Sequence, residues 1–154
     1  MRDGWAASVA AFAAGPALVR RAWESAPEAV RAVPGPEGWS ANDVAVHLSD
    51  AELVRAFRIR IMCAGAARFD PFDEDAWRVS LRYAAADTAL ALDAYEATVA
   101  ATADLLRRMG AEAAARAALH PELGDVTVAT LVERGIEHAA AHAAQVRALT
   151  APPA

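Results

Sequence analysis

"ERGIEHAAAHAAQVRAL", residues 133–149, decides the class of fold. It is rich in alanine, accompanied by glutamate and arginine, all strong helix formers, and contains no run of β-branched residues. Leu131, Gly135, His138, His142, Gln145 with Val146, and Leu149 recur at helical spacing and fall on one face. Thr127 stands where an N-cap belongs, so the spacing predicts a last helix from Thr127 to about Leu149.

Outward from this segment the same signals recur. A first helix is expected from about Ala6 to Ala32, perturbed at Gly15-Pro16 and Pro27 and ended by the turn PGPEG (34–38). Ser40 with Asp43 three residues on is a capping-box pattern, with Trp39 placed as a hydrophobic staple. It opens a second helix that reaches about Ala64. ARFDPFDED (67–75) reads as a loop with Pro71 in a turn and aromatic side chains docked on the helices. A third helix is expected from about Ala84 to Met109, preceded by a shorter turn of helix around Trp77 and stopped by Gly110. A short helix near Glu112 to Ala118 and a connection, HPELGDVT (120–127), complete the chain, and the tail 151–154 is expected to fray. Sustained period-two alternation is missing, which predicts an all-α chain: one four-helix bundle domain over 1–150.

Composition narrows the function. The 154 residues, 56% hydrophobic, suffice for one sizeable core. A net charge of -5 without a basic stripe argues against nucleic acid as a partner, and no uninterrupted apolar run is long enough to span a bilayer. The basic residues are all arginine in an alanine-rich chain, a coding bias that discounts any single arginine. Cys63 is the only cysteine, so no internal disulfide forms, and a small buried hydrophobe is its expected role. Asp3 before the N-terminal apolar stretch, Pro16 within it and the arginines after it disagree with a signal peptide, so a cytoplasmic location is expected.

The histidines carry the chemistry. His138 and His142, at i and i+4, project from one side of a helix about one turn apart, close enough to bind one metal ion. Such a pair arises easily by chance, and a neutral, hydrogen-bonded pair of buried imidazoles is the competing reading. His47, on the second helix among Val44, Leu48 and Ala51, also points toward packing partners. Three imidazoles buried around nothing would each lose hydration, whereas two ligands from one helix and one from a neighbour give a three-nitrogen site with open positions. No ExxH, HExxH, GxGxxG or P-loop pattern occurs, which removes di-iron, zincin and nucleotide readings.

GWSANDVAVHLSDAE in the second helix, HPELGDVTVATLVERGIEHAAAHAAQVRAL at the end and the aromatic loop between resemble the DinB/YfiT-like superfamily of metal-binding four-helix bundles, over nearly the whole chain. The resemblance implies an up-down-down-up bundle with short extra helices in its connections. It also implies a divalent metal, zinc or nickel, on His47, His138 and His142. For activity it implies a low-molecular-weight-thiol S-transferase or isomerase of the mycothiol or bacillithiol type, acting on a small electrophile. A metal-dependent hydrolase and a non-catalytic metal-binding or structural bundle are the alternatives, and a homodimer is the family's habit. Around the metal, Arg58 shares the face of His47 and could reach a carboxylate, in competition with Arg55 and Arg60. Asp50 could orient an imidazole or be an ordinary surface acid. Gln145 could hydrogen-bond into the site or simply line its helix, and His120 reads as a structural turn element.

Overall fold

The computed structural model describes residues 2–65, 68–69 and 73–151. Six α-helices account for most of them: α1 (Arg2–Glu24), α2 (Glu28–Arg31), α3 (Ala41–Cys63), α4 (Glu74–Ser80), α5 (Thr88–Met109) and α6 (Val128–Leu149). Single 3-10 turns lie at Tyr83–Ala85 and Ala111–Ala115. The long helices α1, α6, α3 and α5 follow one another around a four-helix bundle, with α1 diagonal to α3.

Side-chain contacts between the helices give the direction of each. Phe12 meets Gly135 and Gly15 meets Ala139, so α1 and α6 run parallel. Arg20, near the end of α1, bonds Asp93 and Glu96 near the start of α5, so those two are antiparallel. Glu52 lies by Tyr95 and Arg60 bonds Thr102, which makes α3 and α5 parallel. The bundle is therefore up-down-down-up, as expected.

Local chemistry sets the helix ends. Ser40 and Asp43 form the full capping box of α3, and Thr127 with Thr130 forms that of α6. Asp87 caps α5, and Gly110 stops it with a φ of 71° that favours glycine. Gly15 and Gly135 let α1 and α6 approach closely: a Cβ on Gly135 would stand 2.7 Å from the Phe12 ring, and one on Gly15 would stand 2.9 Å from Ala139. The core between the helices is built from Val9, Phe12 and Val19, Leu48 and Ile59, Leu92 and Val99, and Val132 and Val146.

Three expectations of element bounds are corrected. The first helix does not reach Ala32; it ends at Glu24, and Pro27 begins the separate turn α2 because its ring cannot continue the helix. Through Pro16 it is continuous. Helix α5 starts at Thr88 rather than Ala84, whose residues form a 3-10 turn. Within the all-α bundle a small antiparallel hairpin, β1 (Ala117–His120) and β2 (Gly124–Thr127), replaces the end of the expected 112–118 helix and most of the expected 120–127 connection. Ala118, His120 and Val126 face inward from it.

The helical turn around Trp77 is α4. Phe69 docks against the core, while Pro71, Phe72 and the tail beyond Ala151 lie outside the described residues. Cys63 is half-buried against the core, and burial pushes its thiol upward from the ordinary range. Among the described residues no helix is long and apolar enough to cross a membrane.

Candidate metal centre

Three imidazoles meet where the first half of α3 crosses the second half of α6. His47 Nε2 lies 3.2 Å from His138 Nε2, and His142 Nε2 lies 3.0 Å from the same atom. One ligand atom from each residue falls within 4.8 Å of the others. His47 is 1% exposed, and Trp39 stands edge-on to its ring with centroids 5.5 Å apart. The residue before the helix cap thus walls the site.

The electrostatics keep these rings neutral. Burial, then the neighbouring His142 and Arg55, pushes His47 down to about 4. Burial and Arg55 push His138 down to about 2, and burial lowers His142 against the opposing pull of Gln145 and Glu74. Neutral imidazoles are the form that ligates metal.

Hydrogen bonding favours a cation over protons. Gln145 Oε1 lies 2.6 Å from His142 Nδ1 and accepts its proton, so the His142 Nε2 lone pair points into the cluster. One proton on His138 Nε2 can bridge only one of its two short contacts, whereas a cation at the centre takes all three lone pairs. The spacing fits: nitrogens bound at zinc distances lie about 3.3 Å apart in tetrahedral and about 2.9 Å apart in octahedral geometry. His47 Nδ1 and His138 Nδ1 are buried and find no hydrogen-bond partner among the described residues. Among the described residues, therefore, only His142 has its outer nitrogen held by a side chain.

The cluster opens on a cavity of about 440 Å³ whose walls include Arg55, Arg58, Arg134, Glu74, Glu137 and His120. Arg55 is engaged by Glu52, a carboxylate 1% exposed that accepts from it at 2.5 Å, and burial raises the Glu52 carboxyl. Arg58 does reach the cavity, stacked over Phe69 at 4.9 Å, whereas Arg60 turns away to Ala56 and Thr102. Gln145 bonds into the site. Asp50 does not act on an imidazole: the Tyr83 hydroxyl donates to it at 2.7 Å, drawing the carboxylate toward the turn before α5.

Several cavity residues have no usable signal in the sequence, Glu74 and His120 among them. Glu74, in the first turn of α4, brings Oε2 within 3.6 Å of His47 Nε2. It follows a loop, so no periodicity relates it to the histidines. His120, read as a turn element, is 7% exposed and lines the cavity. The period-two pattern of Ala118 and His120 was its only signal, and four residues are too few to show it.

A search of curated proteins finds no relative of this chain. Among solved structures the chain is similar to YfiT from Bacillus subtilis, described as a probable metal-dependent hydrolase with an unusual four-helix bundle topology. The TM-score is 0.84 at 22% identity, covering 96% of this chain and 85% of that one, a likeness that establishes the fold. The sequence model of the DinB superfamily matches residues 11–146, and on that match, with the bundle and its three gathered histidines, the chain belongs to the DinB superfamily.

Proposed function

We propose that this protein is a metal-dependent enzyme in which His47, His138 and His142 hold one divalent ion, zinc or nickel, and a low-molecular-weight thiol is transferred to a small electrophile. The convergence of three neutral imidazole nitrogens beside an open cavity carries the reading. A divalent ion there would lower the pKa of a bound thiol or water and so supply a nucleophile at neutral pH. Gln145 fixes the His142 tautomer, and Trp39 and the core exclude solvent from the back of the site. Glu74, 57% exposed beside His47, is placed to take the proton that the nucleophile gives up. In thiol transfer a C–S bond would form at the electrophilic carbon as its bond to the leaving group breaks, and the thiol proton would pass by way of Glu74 to that departing group.

Hydrolysis is the second reading, and the description of the Bacillus subtilis protein favours it. A purely structural metal site would be closed, which the adjoining cavity opposes. The test is turnover of small electrophiles by untagged, metal-loaded protein with and without mycothiol or bacillithiol. Conjugates formed only with thiol support the first reading; equal turnover in water alone supports hydrolysis; no turnover in either overturns both. A homodimer belongs to the same proposal: Leu53 and Phe57, one turn apart on α3, are 57% and 60% exposed and form an apolar patch that a second copy could cover. Sedimentation showing a monomer at all concentrations would remove it.

A further inference from the structure

Arg55 lies eight residues beyond His47 on α3 and lines the cavity on which His47 and His138 open. Its side chain leans back along the helix, where Nη1 donates to Glu52 Oε2 at 2.5 Å. Helix side chains tilt toward the N-terminus, so the guanidinium recovers part of the roughly 12 Å of rise between residues 47 and 55. Its stem meets α6: Arg55 Cδ stands 3.4 Å from the place a Gly135 Cβ would take, about one turn before His138. The Arg55 charge lowers all three imidazoles.

Glu52 fixes the guanidinium from behind. It is 1% exposed, and its Oε1 is buried with no hydrogen-bond partner among the described residues, which leaves Arg55 to hold it. An ion pair buried this deeply gains little stability over apolar side chains of similar volume, so its effect here is to keep the charge in one place. Arg55 gives one N–H to that carboxylate and has no second acceptor among the described residues. Its side chain is 14% exposed at the cavity wall, and a guanidinium carries five N–H donors. Arg60 turns the other way, to Ala56 and Thr102.

We infer that Arg55 is a specificity-determining residue of this site and binds the carboxylate of a short-chain acid whose reacting carbon lies at the three histidines. The planar fork of a guanidinium matches the two oxygens of one carboxylate. A divalent ion on three neutral imidazoles would leave the centre positive and so favour an anion beside it. Glu74 and Glu137 line the same cavity and oppose a more highly charged anion. The inference rests on the proposed function for the reaction at that carbon; recognition of the carboxylate needs no turnover.

The test titrates the zinc-loaded full chain with propionate and propionamide, equal in length and inert toward thiols. Propionate is expected to bind about tenfold or more tighter than the amide, and to lose that advantage in Arg55→Gln, which removes the charge-assisted donor bonds. Combining Glu52→Gln with Arg55→Gln replaces the buried ion pair by a neutral pair, which separates loss of the anion contact from loss of folding. That double variant should melt cooperatively, retain its zinc and bind acid and amide alike. Arg134→Gln removes an exposed charge from the same cavity and is expected to cost less than about threefold, because solvent screens it. In chelator-treated protein, nitrogen-15 NMR should show a saturable shift of the Arg55 Nε–H with propionate and none with propionamide. Equal affinity for acid and amide in the parent, a preference that survives loss of Arg55, an equal loss in Arg134→Gln, or an Arg55 resonance that propionate leaves unmoved would each overturn the inference. Turnover is read separately, from chloroacetate and chloroacetamide with mycothiol, where a C–S bond replaces the C–Cl bond and chloride and a proton are released. Acid preference in binding without turnover would remove the proposed function and leave the Arg55 site; turnover without acid preference would do the reverse.

Discussion

Gln145 Oε1 stands 2.6 Å from Nδ1 of His142, one helical turn away on α6, and this contact sets which nitrogen of that imidazole faces the cluster. With the proton held at Nδ1, the Nε2 lone pair is directed at His138 Nε2, 3.0 Å away. A residue outside the cavity lining thereby determines the donor character of the site.

Gln145→Ala should therefore keep the fold and weaken metal binding roughly 10- to 100-fold, the usual cost of losing a partner behind a ligand. Competition against a chromophoric chelator measures it. Affinity equal to that of the parent would mean that the His142 tautomer is set elsewhere.

The buried imidazoles make the metal-free protein acid-sensitive. His47 titrates near 4 and His138 near 2 in the folded state, against about 6.5 in the unfolded chain. Below 6.5 the unfolded chain takes up protons that the folded chain refuses, so stability is complete above that value and falls as the pH drops toward 4. Glu52, whose carboxyl burial raises, acts in the opposite direction and returns part of the loss in acid. Urea unfolding at pH 5 should show about 2–4 kcal/mol less stability than at pH 7.5, with a smaller difference in His47→Asn. A flat profile in the parent would contradict the buried, neutral cluster.

The α1 to α6 contact supports the site from below. Gly135→Ala would gain about 1 kcal/mol in helix propensity. Its Cβ would stand 2.7 Å from the Phe12 ring, so a net loss of about 1–3 kcal/mol is expected, read as a lower Tm. A higher Tm would mean that Phe12 moves aside freely.

Glu74→Gln should leave metal content unchanged and lower kcat by about 100-fold or more, as loss of a general base does. Loss of metal instead would make Glu74 a ligand; unchanged kcat would remove it from the chemistry.

Much of this architecture is legible because it is local. Ser40 with Asp43, and Thr127 with its helix, mark helix starts through contacts three residues apart, and both boundaries hold. His138, His142 and Gln145 share a face by helical period alone. His47 joins them through the resemblance and its apolar neighbours, since nothing local relates residues 47 and 138. The hairpin escaped because four-residue strands rich in alanine show no usable alternation, and with it went the inward turn of His120. Glu74 and the Tyr83 bond to Asp50 depend on how the segment between α3 and α5 folds back, which periodicity does not encode.

The central claim is that three histidines hold one metal ion, and elemental analysis of untagged protein beside a His138→Ala, His142→Ala double variant tests it most directly. The account predicts close to one equivalent of zinc or nickel in the parent and none in the variant. No metal in the parent, even after incubation with both ions, would make the imidazoles core residues and contradict the proposed chemistry.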